Sequence, residues 1–86
     1  MTVPTEGEIR KVVLRALNNV APEVDLESID PSKDLRDQID IDSVDFLNFV
    51  LGLHKELAVD IPDADVAKIT TLNGCVGYLV SRVKQV

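Results

Sequence analysis

Apolar residues recur at helical spacing in three stretches of this chain. In the first, Ile9, Val12, Val13, Ala16, Leu17 and Val20 fall three and four apart, which predicts an amphipathic helix over residues 6–19. Thr5 and Glu8 have the spacing of a capping box at its start, and Pro22 helps to end it. In the second, Phe46, Phe49, Val50, Leu53 and Leu57 mark a helix that begins at a cap on Asp42 or Ser43 and runs to Leu57 or Ala58. In the third, Leu72, Cys75, Val76, Leu79, Val80 and Val83 share one face of a last helix capped by Thr70 or Thr71. Gly74 and Gly77 weaken that helix by roughly 1 kcal/mol each relative to alanine, and are suited to a close helix approach. Pro62 and Asp63 open a short helical segment that reaches Lys68. Residues 21–41 form a long connection, pinned by Leu26, Ile29, Leu35 and Ile39. The pattern predicts an all-α fold over a single domain, residues 1–86. It is a small antiparallel four-helix bundle of three main helices and one short one, with a long first loop.

The second helix has more apolar residues than one core face needs. Val44, Leu47 and Leu51 make a second stripe, rotated away from the first and rimmed by Asp40, Asp42, Asp45 and Asn48. In a three-helix arrangement that face meets water, so the stripe reads as a contact surface. The plainer reading is a helix wrapped by the bundle on both sides.

Charge sharpens this picture. The net charge of the 86 residues is -6, but between Glu23 and Asp65 thirteen acids face three bases, Lys33, Arg36 and Lys55. An acidic field centred there steers a basic partner toward the second helix and repels nucleic acid and anionic membrane. The plainer reading of the acids is a solvated face. One Cys and one His exclude an internal disulfide and a Cys/His metal cage. With two Phe, one Tyr and no Trp, the core must be aliphatic. No apolar run approaches the ~20 residues of a membrane span, and Met1–Gly7 does not read as a signal peptide, so a soluble, cytoplasmic monomer is expected.

Ser43 stands where the apolar stripe meets the start of the second helix, where backbone N–H groups and the helix dipole favour a phosphate. A serine there is most often only a cap. His54 lies eleven residues further on, about three turns, too far to act as its base. Ser43 therefore reads as a residue that another enzyme modifies, and no catalytic residue is assigned. Cys75, on the apolar face of the last helix, reads as an inert buried thiol.

Asp42-Ser43-Val44-Asp45, the apolar helix after it, Ile61-Pro62-Asp63 and Ala67-Lys68-Ile69-Thr70-Thr71 together resemble the acyl carrier protein family over nearly the whole chain. The family's Asp-Ser-Leu motif appears here as Asp-Ser-Val. The resemblance implies that Ser43 receives 4'-phosphopantetheine from coenzyme A, installed by a separate Mg²⁺-dependent phosphopantetheinyl transferase. It implies that acyl groups ride on the arm as thioesters and that the chain is a carrier rather than an enzyme. It also implies acyl-transferring and chain-elongating partner enzymes with basic patches. Asp37, Asp40, Asp42, Asp45 and Glu56 would meet those patches, with Asn48 beside them and Val44, Leu47 and Leu51 packing at the centre. Phe46, Phe49, Leu53, Ile61, Ile69, Val76 and Leu79 are candidates to line a cavity for the acyl chain, and equally plain core residues.

Asn48 stands where the family commonly has an acid, His54 and Lys55 replace two more, and Gly52 takes the place of a better helix former. These departures point to a specialised carrier serving a dedicated pathway, although His54 and Lys55 also complement the helix dipole. A fatty, polyketide or aminoacyl load fits the same serine. A stand-alone acidic chain favours the first two. The alternative from another class is an unmodified interaction module that binds a partner through its apolar stripe. A small enzyme is disfavoured, because no nucleophile–base pair stands at usable spacing.

Overall fold

A computed structural model describes residues 4–83. Helix α1 spans Glu6–Val20. The predicted capping box starts it: the Glu8 N–H donates to Thr5 Oγ1 at 3.2 Å and the Thr5 N–H to Glu8 Oε1 at 3.1 Å. Helix α2 is the four-residue turn Leu35–Gln38, α3 spans Ser43–Leu57 and α4 spans Leu72–Val83. Short 3₁₀ segments cover Leu26–Ser28 and Asp63–Ile69. Among the described residues there is no strand, only one isolated bridge between Asp34 and Thr71. No described helix is long and apolar enough to cross a membrane.

α1 packs against α3 and α4, and α4 packs against the Asp63–Ile69 segment. Ile9, Val13 and Leu17 of α1, Phe49 and Leu53 of α3, and Leu72, Cys75 and Leu79 of α4 meet in a core closed to solvent. Each such side chain contributes roughly 1.5–3 kcal/mol relative to exposure. The core is aliphatic apart from Cys75 and from Phe46 and Phe49, whose rings lie 5.8 Å apart in a tilted pair.

The long connection is more structured than the sequence pattern predicts. A four-residue helix and a three-residue 3₁₀ turn are too short to show a 3.6-residue period, so neither left a periodic signature. Leu35, Ile29 and Ile39 pin the connection as expected and Ile41 joins them, while Leu26 is half-buried. Hydrogen bonds complete the work. The Leu35 N–H donates to the Thr70 carbonyl at 2.8 Å, and the Asn73 N–H to the Pro31 carbonyl at 2.9 Å. Gln38 closes the loop on itself: its Oε1 accepts from the Asp30 N–H at 2.8 Å and its Nε2 donates to the Asp30 carbonyl at 2.9 Å. These bonds tie α2 to Thr70 and to the loop before it.

Of the two candidate caps for α4, Thr71 acts: its Oγ1 accepts the Gly74 N–H at 2.9 Å. Gly74 and Gly77 differ. A Cβ at Gly74 would stand 2.8 Å from the Lys68 carbonyl oxygen, whereas one at Gly77 would meet nothing within 4 Å. Only Gly74 serves a close approach.

Candidate functional site

The start of α3 separates two jobs between neighbouring residues. Asp42 is the N-cap: its Oδ1 accepts the Asp45 N–H at 2.8 Å, and Asp45 Oδ2 accepts the Asp42 N–H at 3.4 Å. Ser43 is therefore the first helical residue rather than the cap, and its side chain is exposed. Its side-chain partner is Arg36 of α2, whose Nη2 lies 3.5 Å from Ser43 Oγ. At the far end of α3, His54 Nδ1 lies 3.0 Å from the Val59 carbonyl and 3.3 Å from Asp60 Oδ1, so it belongs to the helix terminus and not to the serine. Ala58 ends the helix in the left-handed region, at φ 53°. Cys75 is buried in α4, and burial pushes its thiol up to about 12. It takes no part in this face.

Val44, Leu47 and Leu51 are 64%, 56% and 53% exposed, and they are the exposed large apolar residues among those described. Each forgoes on the order of 1 kcal/mol of burial by standing in water. They form one strip along α3, as the sequence predicts, opposite the face made by Phe46, Phe49, Val50 and Leu53. Asp40, Asp42 and Asn48 are exposed at its edge, Asp45 is half-buried there, and Asp37 is exposed on α2. Glu56 does not join this rim. It lies five residues beyond Leu51, about 140° further round the helix, and pairs with Arg15 of α1 at 3.6 Å.

Beside the strip, a groove of about 330 Å³ opens at Ser43 and runs between α3 and the Asp63–Ile69 segment. It is lined by Ser43, Phe46, Leu47, Val50, Leu51, Ile61, Asp63 and Val66. Of the seven candidate lining residues, Phe46 and Ile61 border it. Phe49, Leu53, Ile69, Val76 and Leu79 are buried residues of the one core cluster, on the inward faces of α3, α4 and the 3₁₀ segment. Sequence reading missed Val66 and Arg36. Val66 sits in a 3₁₀ segment that has no helical period to reveal its face. Arg36 carried a usable signal as one of three bases in the acidic stretch.

Fold and site together define a small helical domain that displays an exposed hydroxyl, free of capping, at a helix start, next to an apolar groove and strip. A family model described as a phosphopantetheine attachment site matches residues 9–79. The chain belongs to the acyl carrier protein family, whose members carry covalently attached 4'-phosphopantetheine and act as carriers rather than catalysts. An acyl carrier protein of Lactobacillus acidophilus is 37% identical over 59 residues, covering 69% of this chain and 74% of the relative. One of Cylindrotheca sp. is 29% identical over 81 residues, covering 94% and 95%. A solved structure of the acyl carrier protein from Enterococcus faecalis, studied for its high thermal stability, superposes with a TM-score of 0.69 at 25% identity, covering 86% of this chain and 96% of that one. The α3 start fits the prosthetic group: an exposed oxygen is free of capping, and the adjoining groove is mostly apolar.

Proposed function

We propose that Ser43 is the attachment residue. On this reading the chain carries acyl groups to partner enzymes of fatty acid synthesis or of related lipid or polyketide synthesis. The carrying observation is the division of labour at the α3 start, where Asp42 caps the helix and leaves Ser43 Oγ exposed and free of capping. Ser43 Oγ takes the phosphopantetheinyl group from coenzyme A. A phosphorus–oxygen bond forms to the serine as the pyrophosphate link breaks, adenosine 3',5'-bisphosphate leaves, and the serine proton passes to the transferase. The attached arm supplies a terminal thiol on which acyl groups form thioesters. Asp42 keeps the helix start intact during this exchange, and Leu47, Ile61 and Val66 offer the arm an apolar resting place.

Val44, Leu47 and Leu51 form the centre of the docking face, and Asp37, Asp40, Asp42 and Asp45 supply the field that draws in basic partners such as the phosphopantetheinyl transferase. Such docking is fast, weak and salt-sensitive, as a shuttle requires. The test is incubation with coenzyme A, Mg²⁺ and a phosphopantetheinyl transferase, read by intact mass. Wild type gains one phosphopantetheine, and Ser43→Ala gains none while keeping its helical circular dichroism, since Asp42 still caps α3. No gain on wild type across several transferases overturns the assignment, and binding of a partner that survives Ser43→Ala on an unmodified native protein favours an interaction module instead.

A second reading concerns specialisation. Lys55 lies beside the strip four residues beyond Leu51, and Glu56 is turned to Arg15, so the C-terminal half of the docking face is less acidic than the first. That gradient favours a carrier for a dedicated pathway. The mass of the acyl group on protein isolated from its own cells tests it.

A further inference from the structure

Arg36 is an arginine among acids that pairs with none of them. Asp34 and Asp37 flank it closely in sequence, yet the ion pairs among the described residues are Arg15–Glu56, His54–Asp60 and Lys68–Asp65. The Asp34 carboxylate is spent on the backbone, where its Oδ1 accepts the Arg36 N–H at 2.9 Å. The guanidinium instead reaches across from α2 to α3 and stands 3.5 Å from Ser43 Oγ.

The backbone that carries Arg36 is anchored. Leu35, the residue before it, is fully buried and its N–H is bonded to the Thr70 carbonyl. The Gln38 side chain, two residues after it, ties α2 to Asp30 and to the Lys33 carbonyl. Arg36 thus projects from a backbone anchored on both sides toward the one oxygen on which a phosphate is expected.

We propose that Arg36 is the phosphate-holding residue of the arm site. Its guanidinium pairs with the phosphodiester on Ser43 and keeps the arm directed along the groove lined by Leu47, Ile61 and Val66. The inference rests on the reading that Ser43 carries the arm. A phosphodiester brings a permanent negative charge into a surface that already holds Asp37, Asp40, Asp42 and Asp45, and that surface repels it. Phosphorus is one bond beyond Ser43 Oγ, so its free oxygens fall within reach of a guanidinium that already touches the Oγ. The planar fork of an arginine matches two such oxygens, which a lysine ammonium does not. Lys55 cannot substitute, since it lies twelve residues along α3, about 18 Å away.

The test compares wild type, Arg36→Gln and Arg36→Lys, each loaded by the same transferase and checked by intact mass. Phosphorus NMR then reads the diester, and the Arg36 side-chain Nε–Hε resonance is followed from the unloaded to the loaded protein. Nuclear Overhauser contacts from the arm's methyl groups to Ile61 and Val66 read the docked arm. Loading is expected to shift the Arg36 resonance in wild type. Arg36→Gln is expected to move the phosphorus resonance and to cut the docked-arm contacts roughly two- to fivefold, the scale of one exposed charge pair. That difference shrinks in about 1 M salt, and Arg36→Lys recovers part of it. Identical phosphorus shifts and arm contacts in wild type and Arg36→Gln at low salt overturn the proposal, as does a difference that salt leaves unchanged. If no variant gains mass, the Ser43 reading itself falls and takes this one with it. If all three load and their spectra coincide, the Arg36 inference alone falls.

Discussion

Replacing the two glycines of α4 by alanine, one at a time, should move stability in opposite directions. At Gly77 the new methyl group meets open space, so the change acts only through the backbone and stabilises the helix by about 1 kcal/mol. At Gly74 the same gain is offset twice over. The methyl group would stand 2.8 Å from the Lys68 carbonyl oxygen and 2.8 Å from Thr71 Oγ1. The first belongs to backbone that ends the 3₁₀ segment, and the second is the oxygen that caps α4 by accepting the Gly74 N–H. Overpacking of this kind costs about 1–3 kcal/mol, and a weakened cap about 1 kcal/mol more. The balance for Gly74→Ala is a loss of roughly 1–3 kcal/mol. For a domain of this size each kcal/mol moves the melting temperature by roughly 4–8 °C, so thermal unfolding followed by circular dichroism resolves both. Gly74→Ala should also shift the amide resonances of Ile61 and Val66, because the segment it displaces forms one wall of the groove, and Gly77→Ala should not. A Gly74→Ala protein as stable as Gly77→Ala would refute the packing of α4 against the end of that segment.

Asp42→Ala should cost about 1 kcal/mol in urea unfolding, the worth of an N-cap, while Ser43→Ala stays near wild type; equal losses would mean that the serine shares the capping. Asp40→Lys should slow arm installation about severalfold at low salt and little at high salt, and it tests steering better than changes at Asp42 or Asp45, which would disturb the cap as well as the field. Stability should fall at both ends of the pH scale. The Tyr78 hydroxyl, donating to Asp65 Oδ2 at 2.6 Å, and then Lys68 hold the Asp65 carboxyl below its ordinary value, so that contribution is present above the usual carboxylate range and is lost as pH falls through the lowered value. Burial and then the bond to Asp65 raise the Tyr78 hydroxyl, and burial raises the Cys75 thiol, so their contributions are intact below the unfolded values of about 10 and 8.5 and are lost as pH rises beyond them. Tyr78→Phe should bring the Asp65 titration, read by carboxyl NMR, back toward normal. A thiol reagent at about pH 8 should label Cys75 only as fast as the fold opens, and rapid labelling of the native chain would contradict its burial.

What the sequence disclosed depended on length and repetition. The three long helices carry enough turns for their apolar period to stand out, and their capping residues follow the usual chemistry, so they were placed to within a residue. The exposed strip was legible for the same reason: Val44, Leu47 and Leu51 repeat at helical spacing on a face the core does not need. Features set by long-range contacts left no local pattern. The seating of α2 depends on a bond from Leu35 to Thr70, thirty-five residues away, and the groove wall depends on how the 3₁₀ segment leans on α4. A buried residue and a groove residue look alike in sequence when both are apolar. That is why Phe49, Leu53, Ile69, Val76 and Leu79, buried in the core, look in sequence like Phe46 and Ile61, which border the groove.

On the proposed assignment of Ser43, the order of Asp42 and Ser43 is what reconciles a stable helix with a modifiable one. An unoccupied N-cap costs the helix about 1 kcal/mol, so a hydroxyl at a helix start is normally drawn into capping and held against the backbone. Here a carboxylate, a capping group that the modification leaves untouched, takes that position one residue earlier. The serine is left on the first turn, where helix geometry fixes its direction but no bond within its own helix restrains its oxygen. Attaching a phosphate to such an oxygen removes no interaction that the fold relies on, and later loss of the arm restores none. The cap of α3 is therefore the same bare and loaded, which suits a carrier that must be recognised in both states. The carboxylates around Ser43 would surround a phosphate there with like charge, and offsetting it is the role proposed for Arg36.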